Sequence, residues 1–210
     1  KVLNFAIFSI FSFPQLIAPQ KRTKRSIPDR KLRCTDEVWR QCVDYMAAKG
    51  MNQLVIDVGE GLVYPSHPEL AIEGSWSPEK LAGEVDRLRS LGLEVIPKLN
   101  FSTTHNGWMK HYRRMVSTPQ YYRLCEDLLG DLNEIFGRPL YIHIGCDEED
   151  AAWHLLHSKS RLYVLARRGE MWKYDFLHLV NTIEGLGARA WAWSDYGWDH
   201  PDFIELIPGA

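Results

Sequence analysis

The segment His143-Ile144-Gly145-Cys146-Asp147-Glu148-Glu149-Asp150 places consecutive acids directly after an apolar run and a glycine. Glycosidic cleavage needs a carboxylic acid to protonate the leaving oxygen and a second group to stabilise or capture the cationic sugar. Adjacent acids at the point where a strand gives way to a loop can both turn into one cleft, which neighbours within a regular strand cannot do. Crowded carboxylates also tend to push one pKa upward, as a general acid requires. Glu148 and Asp147 are therefore the candidate catalytic pair. The same acids suit a helix N-terminus, with Asp147 as cap and Glu148, Glu149 and Asp150 favoured by the helix dipole, and the two roles are compatible.

Other chemistry-bearing residues gather where apolar runs end: Asp57 and Glu60, Asn100 and His105, Trp193 and Asp195, with His143 inside its run. These are candidates for substrate binding. Trp108, Trp191, Trp193 and Trp198 could give sugar rings flat walls to stack on. Strand alternation turns either Trp191 or Trp193 toward the core or the helix layer.

The elements that must position these residues alternate between strand and helix. Val2–Phe13 is an apolar run behind a Lys, with the look of a short signal segment. No small-residue cleavage site follows it, and it is too short to span a membrane, so Val2–Ile10 is expected as a buried strand. Thr35–Lys49 reads as a helix with Thr35 as N-cap and Val38, Cys42, Tyr45 and Met46 on its inner face. Gln53–Val58 is the second strand. Ser77-Pro78-Glu79 opens the next helix, whose Leu81, Val85, Leu88 and Leu91 face inward. Leu93–Leu99 is the third strand, Pro119–Phe136 a helix and Pro139–Gly145 the fourth strand. Helices around Leu155–Arg167 and Trp172–Leu186 precede a fifth strand, Ala188–Ser194.

Alternating apolar strands and helices predict an α/β fold with a parallel sheet covered by helices. No glycine-rich phosphate loop follows any strand, and polar residues cluster at several strand ends, so a (β/α)8 TIM-type barrel is expected rather than an open nucleotide-binding sheet. A closed barrel takes eight strands and about 250 residues. With five strands visible before Ile207-Pro208-Gly209-Ala210, the expectation is a single barrel domain over residues 1–210, incomplete at its C-terminal side.

Composition excludes little else. A formal charge of −2 and 45% hydrophobic residues give no reason to expect nucleic acid, a membrane or wholesale disorder. The four cysteines, at 34, 42, 125 and 146, lack zinc-site spacing and are expected as free, mostly buried thiols. No cofactor is called for. The basic run Lys21, Arg22, Lys24, Arg25, Arg30, Lys31 and Arg33 follows strand one, on the active face of a barrel, and raises the hypothesis of an anionic glycan against the plainer one of a solvated loop. Neither the compartment nor the oligomeric state is indicated.

His143-x-Gly145-x-Asp147-Glu148 resembles the H-x-G-G-D-E motif of the family 20 glycoside hydrolases, the β-N-acetylhexosaminidases. Met51-Asn52 with LVIDVGEG resembles that family's second strand, VIPKLNFSTTH its third, and Trp193-Ser194-Asp195 the W-D-D segment at its fifth. The resemblance runs from about Thr35 to Asp195. It implies Glu148 as general acid/base and Asp147 as the residue that orients the substrate's own 2-acetamido group, which acts as nucleophile. It further implies that His105 supports the acid and that Trp193 lines the acetamido pocket. Cys146 stands where the family has its second Gly, Glu60-Gly61 where it has an acidic pair, and Lys98 and Asn100 where it has Glu and Asp. His105 sits one residue late, and the family's strand-one Arg has no clear match.

The expected function is thus a glycosidase acting on terminal amino sugars or a related residue. Two alternatives stand beside it: a catalytically inactive glycan-binding barrel, and a metal-dependent barrel enzyme using Asp57, His143, Asp147 and Glu148 as ligands.

Overall fold

The structure is a computed structural model, and it describes residues 5–9, 31–149 and 169–204. The helix expected around Leu155–Arg167 and most of the basic run lie outside the described residues. Strands β1 (Phe5–Ser9), β2 (Gln53–Asp57), β3 (Glu94–Lys98), β4 (Tyr141–His143) and β5 (Arg189–Trp191) form one parallel sheet in the order β1-β2-β3-β4-β5. A doubly wound sheet reverses its strand order at a switch point. Here the order follows the sequence throughout. Strands four and five are shorter than their apolar runs suggested.

Helices α1 (Asp36–Ala48), α2 (Pro78–Ser90), α3 (Pro119–Ile135) and α4 (Glu170–Gly185) join these strands, with short helices α5 (Asp195–Asp199) and α6 (Pro201–Ile204) after β5. Thr35, Ser77 and Thr118 cap α1, α2 and α3, each side-chain oxygen accepting a first-turn amide proton; Pro78 and Pro119 then fill the first helical position. Prolines cost nothing there, because that amide has no helical partner.

The core lies between sheet and helices. Leu54 and Ile56 of β2, Val95 of β3 and Ile142 of β4 pack with Leu81, Val85 and Leu88 of α2, Leu124 and Leu128 of α3 and Leu179 and Ile183 of α4. Alternation turns Val55, Asp57, Ile96, Lys98 and His143 to the opposite face. Leu91, expected inward, instead caps α2 and is largely exposed.

Helix α1 differs from its expected orientation. Its buried residues are Trp39 and Val43, whereas Val38 is 50% and Tyr45 64% exposed. The helix is rotated by one residue, about 100°. Trp39 explains the choice: its indole meets Trp76 edge-on at 5.6 Å, and its Nε1 donates to the buried Glu84 of α2 at 2.6 Å. Burying the largest side chain with its polar tip satisfied outweighs burying Val38 and Tyr45. The cysteines are free as expected, with Cys125 and Cys146 buried and Cys34 and Cys42 half-buried.

Candidate active site

Parallel register brings Asp57, Lys98, His143 and Trp191 side by side at the C-terminal edge of the sheet. Lys98 Nζ donates to Asp57 Oδ2 at 2.7 Å in a mostly buried pair. Burial pushes the Asp57 carboxyl above its ordinary range; Lys98 opposes the shift and the nearby Asp147 charge adds to it. Next along, burial and then Lys98 lower the His143 pKa to about 4, against the opposing pull of Asp147. His143 is therefore neutral near pH 7. The Gly145 amide donates to its Nδ1 at 2.9 Å, so the ring proton resides on Nε2.

Beyond β4 the backbone leaves the extended region. Gly145, Cys146 and Glu148 have φ of +74°, +65° and +51°. Left-handed backbone costs an L-residue about 1 kcal/mol or more, so Cys146 and Glu148 need surroundings that hold them there. Those surroundings come from the loop after β3. Ser102 Oγ and Thr104 Oγ1 donate to the carbonyl oxygen of Asp147 at 2.6 and 3.3 Å. Thr103 donates both its amide and its hydroxyl to Glu149, at 2.9 and 2.8 Å. From the other side, Asp195 Oδ2 accepts the Glu148 amide proton at 3.2 Å.

The turn thus presents both acids together. Asn100 is fixed by the Ser102 amide, which donates to its Oδ1 at 3.0 Å, so its Nδ2 must face outward; it donates to Asp147 Oδ1 at 2.8 Å. His105 Nε2 lies 3.1 Å from Glu148 Oε2 and 3.4 Å from Asp147 Oδ2. Glu148 is half-exposed, and Asp147 less so. One carboxyl is open to a ligand and its neighbour is oriented by an amide and an imidazole, an arrangement able to combine proton transfer with electrostatic stabilisation.

Of the residues singled out from sequence, Asp57, Asn100, His105, His143, Asp147, Glu148 and Asp195 converge here. Trp193 joins them: its ring meets His143 edge-on at 4.9 Å and its amide donates to the Gly145 carbonyl. Trp108 and Glu60 are withdrawn from solvent, each 6% exposed. Trp108 packs against Phe101 and donates its Nε1 to the Asn100 carbonyl, so it props the β3 loop instead of lining the mouth. Trp191 stacks obliquely on Tyr141, and Trp198 stands 79% exposed with its Nε1 on Ser194 Oγ. Ser102, Thr103 and Thr104, not anticipated, complete the array with Lys98, read from sequence only as a departure from the family pattern, and Glu149, read as a helix-start acid but placed in a non-helical turn. Among the described residues no group of His, Cys, Asp and Glu is arranged to hold a metal ion. None of the helices they form is long and apolar enough to cross a membrane.

No family model matches the chain. Its fold is similar to that of solved β-N-acetylhexosaminidases. The Streptomyces coelicolor A3(2) enzyme of glycoside hydrolase family 20 superposes with a TM-score of 0.67 at 16% identity, over 94% of this chain and 40% of that one. The Streptomyces plicatus N-acetyl-β-hexosaminidase gives 0.64 at 16% identity, over 93% and 40%. The curated sequence relatives carry another name. "Putative glutamate--cysteine ligase 2" of Paracidovorax citrulli is 32% identical over 112 residues, 48% of this chain and 29% of the relative. The protein of that name from Verminephrobacter eiseniae is 28% identical over 144 residues, 58% and 37%. The chain spans well under half the length of all four.

Proposed function

We propose that the chain is part of a (β/α) barrel glycoside hydrolase, with residues 1–210 as one catalytic unit. Glu148 protonates the departing oxygen and then activates water. The observation that carries this reading is the single His105 nitrogen within reach of both Glu148 and Asp147. A single imidazole nitrogen between the two carboxyls orients both and can pass or receive a proton as Glu148 changes state. Asp147, held by Asn100, supplies the fixed negative charge that a developing oxocarbenium ion or a polarised acetamido group needs. The named neighbours suggest an N-acetylhexosamine as the substrate, cleaved with retention through the substrate's own acetamido oxygen. Trp193, whose ring meets His143 edge-on, serves in this reading as a wall for the acetamido group.

The charge of the site agrees with this reading. Asp57, Asp147, Glu148 and Asp195 outnumber Lys98 and His105 as the charged groups gathered at the site, a field that suits a sugar becoming cationic in the transition state. The same field argues for a neutral glycan; the anionic-glycan hypothesis rests on basic residues mostly outside the described ones.

The test is hydrolysis of a panel of aryl glycosides, N-acetylglucosaminide included, by wild type and Glu148→Gln. The expected result is release of the phenol from the N-acetylated member and a loss of at least about a hundredfold in the variant. Glycan binding without turnover, unchanged in the variant, would establish a binding protein instead. ADP release on mixing glutamate, cysteine and ATP would establish the ligase.

A further inference from the structure

We infer that Glu149, a residue outside the acid pair, is a positioning residue: its bidentate clamp on Thr103 holds the left-handed turn that aims Glu148 at His105. The role rests on the glycosidase reading, but the clamp can be measured separately.

Glu149 is 7% exposed, a place where a carboxylate is costly unless its oxygens are satisfied. Thr103 satisfies both, its amide on Oε1 and its hydroxyl on Oε2. Thr103 is itself buried, and its neighbours Ser102 and Thr104 grip the Asp147 carbonyl. The acid turn is therefore hooked to the β3 loop at residues 147 and 149, while Asp195 holds the Glu148 amide. Glu148 itself is left-handed at φ +51°. A free loop would let a non-glycine residue relax out of that region, carrying the carboxylate away from His105. With residues on both sides pinned, Glu148 has no room to relax. Its side chain, which must stay half-open for substrate, is thereby aimed through the backbone and not through packing of its own.

The test compares Glu149→Ala, Glu149→Gln and Thr103→Ala with wild type. Gln can rebuild both contacts, its carbonyl accepting the Thr103 amide proton and its amino group donating to the hydroxyl oxygen. Ala can rebuild neither. On the aryl glycoside that wild type cleaves, Glu149→Ala is expected to lower kcat about a hundredfold with KM within about threefold, whereas Glu149→Gln stays within about fivefold of wild type. Thr103→Ala, which loses the hydroxyl contact alone, should lower kcat about tenfold and remains informative if Glu149→Ala does not fold. The second readout needs no turnover: the His105 ring nitrogen resonances at fixed pH should move in Glu149→Ala and Thr103→Ala and stay in place in Glu149→Gln. Folded Ala variants with wild-type kcat and unmoved His105 resonances overturn the clamp. Absence of turnover in wild type overturns the glycosidase reading alone, and the resonances then decide the clamp by themselves.

Discussion

Gly145 and Asn100 compete for the same volume. A Cβ on Gly145 would lie 2.2 Å from Asn100 Oδ1 and 2.9 Å from the Asn100 Cα, far inside contact distance. The absence of a side chain at 145 is what lets the Asn100 amide reach Asp147.

Gly145→Ala should therefore cost more than the usual penalty for a left-handed alanine. Overpacking adds to that strain, for a total of about 2–4 kcal/mol. Urea titration would show the lowered midpoint. A variant as stable as wild type would mean that Asn100 swings away freely.

Asn100→Asp tests the orientation of Asp147. The amide donor at 2.8 Å becomes a second carboxyl, and two carboxylates at that distance must share a proton. Activity should be retained at acid pH and fall away as the shared proton is lost, narrowing the pH–rate profile from its alkaline side. Asn100→Ala removes the donor without adding charge and should lower kcat at every pH.

His143 gives stability a pH dependence. Its pKa falls from 6.5 in the unfolded chain to about 4 in the fold, so between those values the unfolded state binds the extra proton. Stability is full above the unfolded value and declines as pH drops toward about 4, by up to about 3 kcal/mol. His143→Gln, whose carbonyl can accept the Gly145 amide proton, should flatten that decline in urea unfolding measured across the window.

The Lys98–Asp57 pair predicts the opposite trend on mutation. Lys98→Met leaves a buried carboxylate alone at neutral pH, at a cost of about 3 kcal/mol. Asp57 already has a raised pKa, and losing Lys98 raises it further, so acidification protonates it and shrinks the deficit. Adding Asp57→Leu should recover most of the loss at neutral pH, as thermal unfolding of the single and double variants would show.

The order of the elements was legible because each has a local signal. Thr35 and Ser77 sit where caps belong, Pro78 and Pro119 open their helices, and the strands are short and apolar. The face of α1 was not legible: Val38, Cys42, Tyr45 and Met46 match helical spacing as well as Trp39, Val43 and Ala47, and the tie is broken by Trp76 and Glu84, the latter 45 residues away. The acid pair stood out through residue type and position at a strand end. Its supports did not. Thr103 and Glu149 are 46 residues apart, and a hydrogen bond between two loops leaves no periodic trace. Trp108 was misplaced for a related reason, since a tryptophan near a strand end serves equally as a sugar platform or a buried prop.

The division between the two faces of the sheet has a practical outcome. The helix-side packing of Leu54, Ile56, Leu81 and Leu128 supplies the apolar core, whereas the face that carries Asp57, Lys98, His143 and the turn beyond them is held by polar pairs. These sets scarcely overlap. An engineer could harden the outer shell, replacing the exposed Val38 and Tyr45 of α1 for instance, without retuning the chemistry. Conversely, changes on the polar face must keep the Lys98–Asp57 pair and the Gly145–His143 hydrogen bond, because these hold the scaffold together as well.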